Sequence, residues 1–298
     1  MQLTRRELLA AAAGAAAPWR MRLSASSVLF NTLPVEQACA RIADAGYEAV
    51  DYWQGERFKT NHLEEALARL GPDGLARLLV DHRLRLCSFT CFFIGIDRYA
   101  DMLGAAGRGD GAFIRESRYY GTAPNNSGGA TRPTDLADLR RQMRDLVESL
   151  KPQLALAGKH NFRVAIENHS NAILNSVDSF KVFLDLATHP RLWIALAPYH
   201  LQRDRIPVED VIALAGHRTL FFYAWQNEPG NNQLPGVGST DFTPWIRALA
   251  KVNYRGYVNP FMHDNRHEIA PDQMSPAIVR ARRYLEQCRE TIEKQEPL

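Results

Sequence analysis

The sequence predicts a single closed (β/α)8 barrel of the α/β class, on three observations. Short apolar runs typical of buried strands alternate with longer segments whose apolar residues recur at helical spacing, and this unit occurs eight times in succession. The length of 298 residues suits one such barrel. The rival arrangement, an open doubly wound sheet, usually has a glycine-rich dinucleotide turn after its first strand, and "SASSVLFNT" contains no glycine.

The predicted strands are separated by amphipathic helices along the whole chain. In order, the strands are 21–27, 47–53, 84–93, 112–120, 162–169, 192–197, 220–226 and 257–261. The first helix begins at Pro34 and places Val35, Cys39 and Ile42 on one face, and a long helix begins at Asp135. Because the strands of such a barrel are parallel, their carboxyl ends meet at one mouth, where we expect the functional site.

The composition is that of an ordinary globular chain. Apolar residues make up 46% and charged residues 23%, which is enough apolar material for a full core. The net charge is +3, and the lysines and arginines are scattered rather than interleaved with aromatic residues. We therefore expect no nucleic-acid partner.

The amino terminus is predicted to be an export signal rather than part of the fold. "LTRRELLAAAAGAAAP" contains the pair Arg5-Arg6 followed by an apolar, alanine-rich stretch, the pattern of a twin-arginine signal. We assign residues 1–20 to this signal and a linker, and 21–298 to the barrel. The alternative, an alanine-rich start of a helix, is disfavoured because the segment has no polar face. The apolar stretch is too short to anchor the chain in a bilayer, so we expect an exported, periplasmic protein with no membrane contact in its mature form.

The strongest chemical signal is a carboxylate at the end of the fifth predicted strand. Glu167 directly follows the apolar run "VAI" and would lie in a desolvated mouth, where a carboxylate needs a metal, a cation or a proton. The alternative is a glutamate that caps a neighbouring loop. His200 follows the sixth strand, three residues after Ala197, and His263 follows the eighth. For both histidines, a packed or solvated side chain is the alternative to a site role.

Aromatic and amide side chains at the other strand ends are candidates for binding a sugar or polyol. Such ligands suit aromatic walls that carry a few placed polar groups. For each aromatic residue, a plain core position is the alternative. The candidates are Trp53, Tyr119, His169, Trp225, Gln226 and Asn259.

Four local motifs resemble the xylose-isomerase-like barrel superfamily of sugar isomerases and epimerases. They are "RVAIENHSN", "ALAPYHL", "QLPGVGSTDFTPWIRALAKVNYRGYVNPF" and the helix opened by "SVDSFKVFLDL", and the resemblance runs from residue 21 to about residue 285. The third is the most specific, because it joins a P-G-x-G after the seventh strand to a tryptophan-containing helix and a Y-x-G-Y-V entry into the eighth. The resemblance implies a (β/α)8 barrel and chemistry on a sugar.

The resemblance also implies one divalent metal held by four strand-end residues, and this chain departs from that set. The family pattern is Glu, Asp, His and Glu on strands five to eight. Glu167 matches the first, whereas Ala197 takes the place of the Asp, Ala224 or Trp225 that of the His, and Asn259 that of the second Glu. In relatives the two glutamates pass a proton on opposite sides of the sugar carbon, so the loss of one bears on mechanism as well as on metal binding.

Three interpretations of the function stay open. In the first, a rebuilt site binds Mn²⁺, Zn²⁺ or Mg²⁺ through Glu167 with His200, His263 or His169, and Gln226 assists. In the second, Glu167 and His200 work without metal as a base and acid pair, giving isomerase or lyase chemistry on keto-sugars. In the third, the barrel binds sugar without catalysis. We favour the first two and expect a sugar or polyol isomerase or epimerase that acts by deprotonation next to a carbonyl. The expected partner is an unphosphorylated sugar or polyol, and a homo-oligomer stays open.

Overall fold

The computed structural model describes residues 19–92, 94–121, 128–262 and 269–295. Most of the predicted export signal, residues 1–18, lies outside the described residues. The described strands are β1 (Arg22–Ser26), β2 (Ala49–Gly55), β3 (Thr60–Asn61), β4 (Arg85–Cys91), β5 (Ala112–Glu116), β6 (Tyr119–Tyr120), β7 (Gly128–Ala130), β8 (Arg163–Glu167), β9 (Leu192–Leu196), β10 (Thr219–Ala224) and β11 (Tyr257–Pro260).

Eight of these strands form a closed parallel barrel, which confirms the predicted fold. Around the barrel the order is β1, β2, β4, β5, β8, β9, β10 and β11, and β1 closes the ring by pairing with both β2 and β11. The short β3 pairs antiparallel with the end of β2, and β6 and β7 form a separate two-stranded sheet. Sequential parallel pairing brings the carboxyl ends of all eight strands to one mouth.

Helices cover the outside of the barrel between the strands. The helices are α1 (Val35–Asp44), α2 (His62–Arg69), α3 (Gly71–Asp81), α4 (Ala100–Gly107), α5 (Leu136–Ser149), α6 (Lys151–His160), α7 (Val177–Leu186), α8 (Pro198–Arg203), α9 (Val208–Ala215), α10 (Thr243–Lys251) and α11 (Pro271–Gln295). Asp135 caps α5 by accepting from the Asp138 backbone N–H, as expected for a helix that begins there. Among the described residues, no helix is both long enough and apolar enough to cross a membrane.

Two apolar layers hold the barrel together. The larger lies between the strands and the helices and includes Val35, Cys39 and Ile42 of α1, the face that the helical spacing predicted. The smaller lies inside the barrel, where small residues such as Ala165 and Ala195 alternate along the strands with larger or polar ones. The outer layer positions the strands, and the inner one shapes the mouth.

The fourth predicted strand, 112–120, is two separate elements in the structure. β5 ends at Glu116, and the chain then turns so that the backbone N–H groups of Ile173 and Tyr120 bond to the carbonyls of Arg118 and Asn171 respectively. The sequence run continues through this turn without a glycine or proline, so its pattern carries no sign of the break. As a result, the carboxylate of Glu116 stands at the end of β5 beside Glu167, its register neighbour on β8.

Candidate active site

Glu167 and His200 form a buried pair at the carboxyl end of the barrel. Glu167 is the last residue of β8, and His200 lies in α8, which begins at Pro198 after β9. A proline at the first helical position favours this immediate start of the helix. The His200 Nε2 atom lies 3.8 Å from the Glu167 Oε1 atom, and the two side chains are 3% and 5% exposed. Both groups are therefore close enough to exchange a proton through a small movement or a bound substrate.

Asn168 fixes the end of β8 relative to Ala197, the residue that follows β9. Its Oδ1 accepts from the backbone N–H of Ala197 at 2.7 Å, and its Nδ2 donates to the carbonyl of the same residue at 3.1 Å. Nδ2 also donates to Asn175 Oδ1 at 2.9 Å, and Asn175 in turn donates to the His200 carbonyl at 3.3 Å. One amide thus ties the end of β8 to the residue from which α8 starts. Sequence reasoning missed this role because the partner is a backbone group on another strand.

Aromatic rings enclose the His200 imidazole. The His169 ring lies 3.8 Å from it between centroids, tilted by 39°, and the Tyr119 ring contacts His169 edge-on at 4.8 Å. Trp225 meets His200 edge-on at 5.1 Å, and Tyr199 stacks on Trp225 at 4.2 Å. Four of the predicted site residues, His169, His200, Tyr119 and Trp225, are therefore in one ring cluster, and His200 connects this cluster to Glu167.

Trp225, not Ala224, occupies the inward position at the end of the seventh barrel strand. Trp225 belongs to the apolar cluster inside the barrel, whereas Ala224 packs in the layer between strands and helices. The indole N–H of Trp225 donates to Gln233 Oε1 at 2.8 Å. An indole therefore fills the position at which the resemblance to xylose-isomerase-like barrels implies a metal-binding histidine.

Gln226 contacts the loop that follows β10. Its side-chain Nε2 donates to the Leu234 carbonyl at 2.9 Å, and its Oε1 accepts from the Thr240 backbone N–H at 2.8 Å. The side chain is fully buried. These contacts order the loop over residues 226–240, and a contact of Gln226 with substrate stays a prediction.

Asn259 and Trp53 belong to a hydrogen-bonded network centred on Asp51, a buried carboxylate of β2. Asn259 Oδ1 accepts from Ser24 Oγ at 2.9 Å, and its Nδ2 donates to Ser26 Oγ at 2.8 Å, which donates to Asp51 Oδ2 at 2.7 Å. The Trp53 indole N–H donates to the same Asp51 oxygen. The sequence contains a signal for this group, a single acid within the apolar run "AVDYW".

The other oxygen of Asp51 is also satisfied. Ser88 and Thr90 of β4 donate to Asp51 Oδ1 at 2.8 and 2.7 Å. Burial nevertheless raises the pKa of Asp51 to about 6, because the hydrogen bonds from Ser26, Thr90, Ser88 and Trp53 only partly offset the loss of water. Asp51 is therefore a well-held carboxyl group that titrates above an ordinary aspartate.

The electrostatics of the mouth favour the protonated form of Glu167. Burial raises the pKa of Glu167 well above its ordinary value, the charges of Asp51 and Glu116 raise it further, and the Tyr223 hydroxyl opposes them. Three carboxyl groups share this desolvated region, and charging all of them together is costly. Glu167 thus keeps its proton to a higher pH than a free glutamate does.

The described residues do not fit a divalent metal. Among them, no three His, Cys, Asp or Glu side chains converge in a way that could hold an ion. Glu167 and His200 are the described members of the predicted metal set, and the third, His263, lies outside the described residues. Neither Ala197 nor Trp225 carries a metal ligand, and the Asn259 oxygen accepts from Ser24.

The sequence model of the xylose isomerase-like TIM barrel family matches residues 39–287. The chain belongs to this family. No functionally curated protein matches the sequence.

Solved structures share the fold of this family member. The 3-keto-D-glucoside 4-epimerase YcjR from E. coli has a TM-score of 0.64 at 16% identity, over 90% of this chain and 100% of that one. A D-psicose 3-epimerase crystallised in the presence of D-fructose has a TM-score of 0.67 at 14% identity, over 90% of this chain and 99% of that one. The probable 3-DHS dehydratase AsbF from Bacillus anthracis has a TM-score of 0.59 at 14% identity, over 85% of this chain and 97% of that one. At these identities the likeness is one of fold.

Proposed function

We propose that this family member is a sugar or polyol isomerase-type enzyme that moves a proton next to a carbonyl group. The observation that carries the proposal is the buried Glu167–His200 pair, 3.8 Å apart at the mouth of the barrel. Family membership supports it, as do the sugar epimerases among the structures of similar fold. The aromatic residues around His200 support a sugar as the ligand.

The pair has the chemistry for forming an enediol. The raised pKa of Glu167 favours its neutral acid form, so we assign the acid role to Glu167 and the base role to His200. His200 takes the proton from the carbon next to the carbonyl, the C–H electron pair forms the new C=C bond, and Glu167 protonates the carbonyl oxygen. In the second step, His200 gives its proton to the former carbonyl carbon, and the Glu167 carboxylate takes the proton from the hydroxyl of the neighbouring carbon, where the new C=O bond forms. Such positioned acid and base groups typically contribute about 10²–10⁴-fold to the rate.

The described residues favour proton return on the same face of the sugar. Asn259 stands where the family's second carboxylate is implied, and an amide accepts no proton at neutral pH. The nearby Asp51 is engaged by four donors and faces the barrel interior. Proton return to the same face gives isomerisation, and loss of a hydroxyl from the enediol gives elimination. We therefore favour isomerase chemistry, with lyase chemistry as the second candidate, supported by the dehydratase of similar fold.

A metal-assisted version of this proposal depends on His263, because the described residues do not themselves fit an ion. The expected Mn²⁺, Zn²⁺ or Mg²⁺ thus stays a prediction, and the proton transfers above are assigned to Glu167 and His200 alone. Export stays a proposal based on residues 1–20, and self-association likewise stays open.

Proton exchange in deuterated water tests the proposal directly. D-fructose, D-psicose and a 3-keto-D-glucoside are incubated with the protein, and deuterium entry at the carbon next to the carbonyl is followed by NMR. We expect exchange with at least one of them, and a loss of about 10²-fold or more in Glu167→Gln and in His200→Gln. His82→Gln, at the end of α3 outside the barrel, is the matched control and should exchange at the wild-type rate.

Unchanged exchange in Glu167→Gln would remove the assignment of the pair. Calorimetry with the same three sugars identifies the remaining alternative. Binding without exchange by the wild-type protein would indicate a non-catalytic sugar-binding barrel.

A further inference from the structure

A cavity of about 500 Å³ opens at the amino-terminal end of the barrel, opposite the candidate active site. Its wall contains the first residues of several strands, including Arg22 of β1, Arg163 of β8 and Tyr257 of β11. Arg163 and Glu167 are the first and last residues of β8, so their Cα atoms lie about 13 Å apart along the strand. The cavity is thus separate from the Glu167–His200 pair, and its volume is typical of a small-molecule site.

The cavity carries an excess of positive charge. Among the described residues that line it are three arginines, Arg22, Arg163 and Arg255, against a single carboxylate, Asp110. Arg163 donates to the Asp110 carbonyl, and its guanidinium lies 3.8 Å from the Asp110 carboxylate, which is 62% exposed. An ion pair this long and this exposed on one side contributes little stability, so it does not prevent Arg163 from pairing with a bound anion.

The Arg163 guanidinium does not use all of its hydrogen-bond donors. Its Nε atom is buried and has no hydrogen-bond partner in the described part of the chain. Burial lowers the pKa of Arg163; the Asp110 charge opposes this effect, and the charge of Arg22 adds to it. An anion in the cavity would add a charge-assisted hydrogen bond to this guanidinium.

Aromatic side chains form part of the remaining wall. The Arg22 guanidinium lies over the Tyr257 ring, 4.0 Å from its centroid, and donates to the Tyr257 hydroxyl and to the Arg255 carbonyl. Trp193 and Phe221 line the same cavity, and the Trp193 indole N–H is held by the Pro190 carbonyl at 3.0 Å. A planar or apolar body would find preformed contacts here.

We propose that this cavity is a second ligand site, which takes a small organic anion with a carboxylate or phosphate group on a planar or apolar body. The anionic group pairs with Arg163, and the body lies against Trp193 and Phe221. Because the site opens at the end of the barrel away from Glu167, its ligand is distinct from the sugar of the proposed reaction. The proposal stands whether or not the barrel is an enzyme.

Calorimetric titration of the full chain tests the proposal with four probes. Phenyl phosphate and benzoate carry both parts of the expected ligand, inorganic phosphate lacks the body, and benzyl alcohol lacks the charge. We expect at least one of the two aromatic anions to bind, and the stronger of them identifies the anionic group. Inorganic phosphate and benzyl alcohol should each bind at least tenfold more weakly.

Arg163→Met should weaken the aromatic anion at least tenfold, whereas Arg191→Met should leave it unchanged. Arg191 lies at the same end of the barrel, bonded to Asn161 and to the Phe162 carbonyl, outside the cavity wall. Trp193→Leu provides a second test if Arg163→Met does not fold, because it should weaken phenyl phosphate and spare inorganic phosphate.

Three outcomes would overturn the proposal. In the first, neither aromatic anion binds. In the second, Arg191→Met weakens binding as much as Arg163→Met does. In the third, Glu167→Gln abolishes binding, which would place the anion in the candidate active site instead. Because these readouts do not involve proton exchange, a failure here leaves the proposed enzymatic function standing, and the reverse also holds.

Discussion

Replacing Asn168 by alanine should both loosen the fold and slow the proposed proton transfer. The Asn168 side chain is fully buried and provides the hydrogen bonds between the end of β8 and Ala197. In Asn168→Ala the backbone N–H of Ala197 loses its acceptor, while the Ala197 carbonyl keeps a bond from the His200 N–H. One orphaned buried donor costs about 1–3 kcal/mol, and each of the two other lost bonds about 1 kcal/mol. We therefore expect the free energy of unfolding to fall by about 3–5 kcal/mol.

The effect on activity follows from the position of His200. Without the Asn168 hydrogen bonds, fewer contacts hold α8 against the end of β8, and a displacement of about 1 Å between reacting groups can cost about 10²-fold in rate. Urea unfolding followed by circular dichroism measures the stability, and deuterium exchange measures the rate. Because Asn168 positions His200 without touching the reacting atoms, the exchange rate should fall with its pH optimum unchanged.

Asn232→Ala is the control for this prediction, since Asn232 is an exposed amide in the loop after β10. It should change the free energy of unfolding by no more than about 0.5 kcal/mol. The reasoning would be refuted if Asn168→Ala unfolded at the same urea concentration as this control and exchanged protons at the wild-type rate.

Two further predictions concern the buried acid of β2 and the amino terminus. A carboxyl group whose pKa is higher in the folded than in the unfolded protein stabilises the fold while it is protonated. The pKa of Asp51 is raised from 3.8 to about 6. The wild type should therefore lose stability as the pH rises through that interval. Relative to Asp51→Asn the loss should reach about 3 kcal/mol, measured by urea unfolding from about pH 4 to about pH 7, and parallel profiles for the two proteins would contradict it. Replacing both Arg5 and Arg6 by lysine should abolish export in a bacterial host, measured by cell fractionation. Arg20→Lys should be exported normally, and an unchanged periplasmic fraction of the double variant would exclude a twin-arginine signal.

Sequence reasoning misses two buried acids of the site for identifiable reasons. Glu116 lies inside a continuous run that predicts one strand, and only the pairing of residues 118–120 with the segment after β8 ends β5 there. Asp51 stands out as a single acid in the apolar run "AVDYW", but the sequence does not show which groups surround it. Its donors Ser26, Ser88 and Thr90 come from two other strands. Contacts between strands that are distant in sequence leave no local signature.

The sequence by itself determined the barrel and the candidate pair. Periodicity and turn residues are local properties, so the eight barrel strands and the position of Glu167 at a strand end follow from the order of the residues alone. His200 comes close to Glu167, although the two are well separated along the chain, because consecutive parallel strands of the barrel are neighbours.

Only the tertiary structure decided what faces the mouth. Successive side chains of a strand point to opposite sides, so a shift of one residue exchanges the inner and outer sets. That choice makes Trp225, rather than Ala224, the inward residue at the end of β10. The same alternation, closed into a ring, directs Arg22 and Arg163 into the cavity at the other end. Both outcomes depend on how the strands pair, which is a property of the closed sheet and not of any one segment.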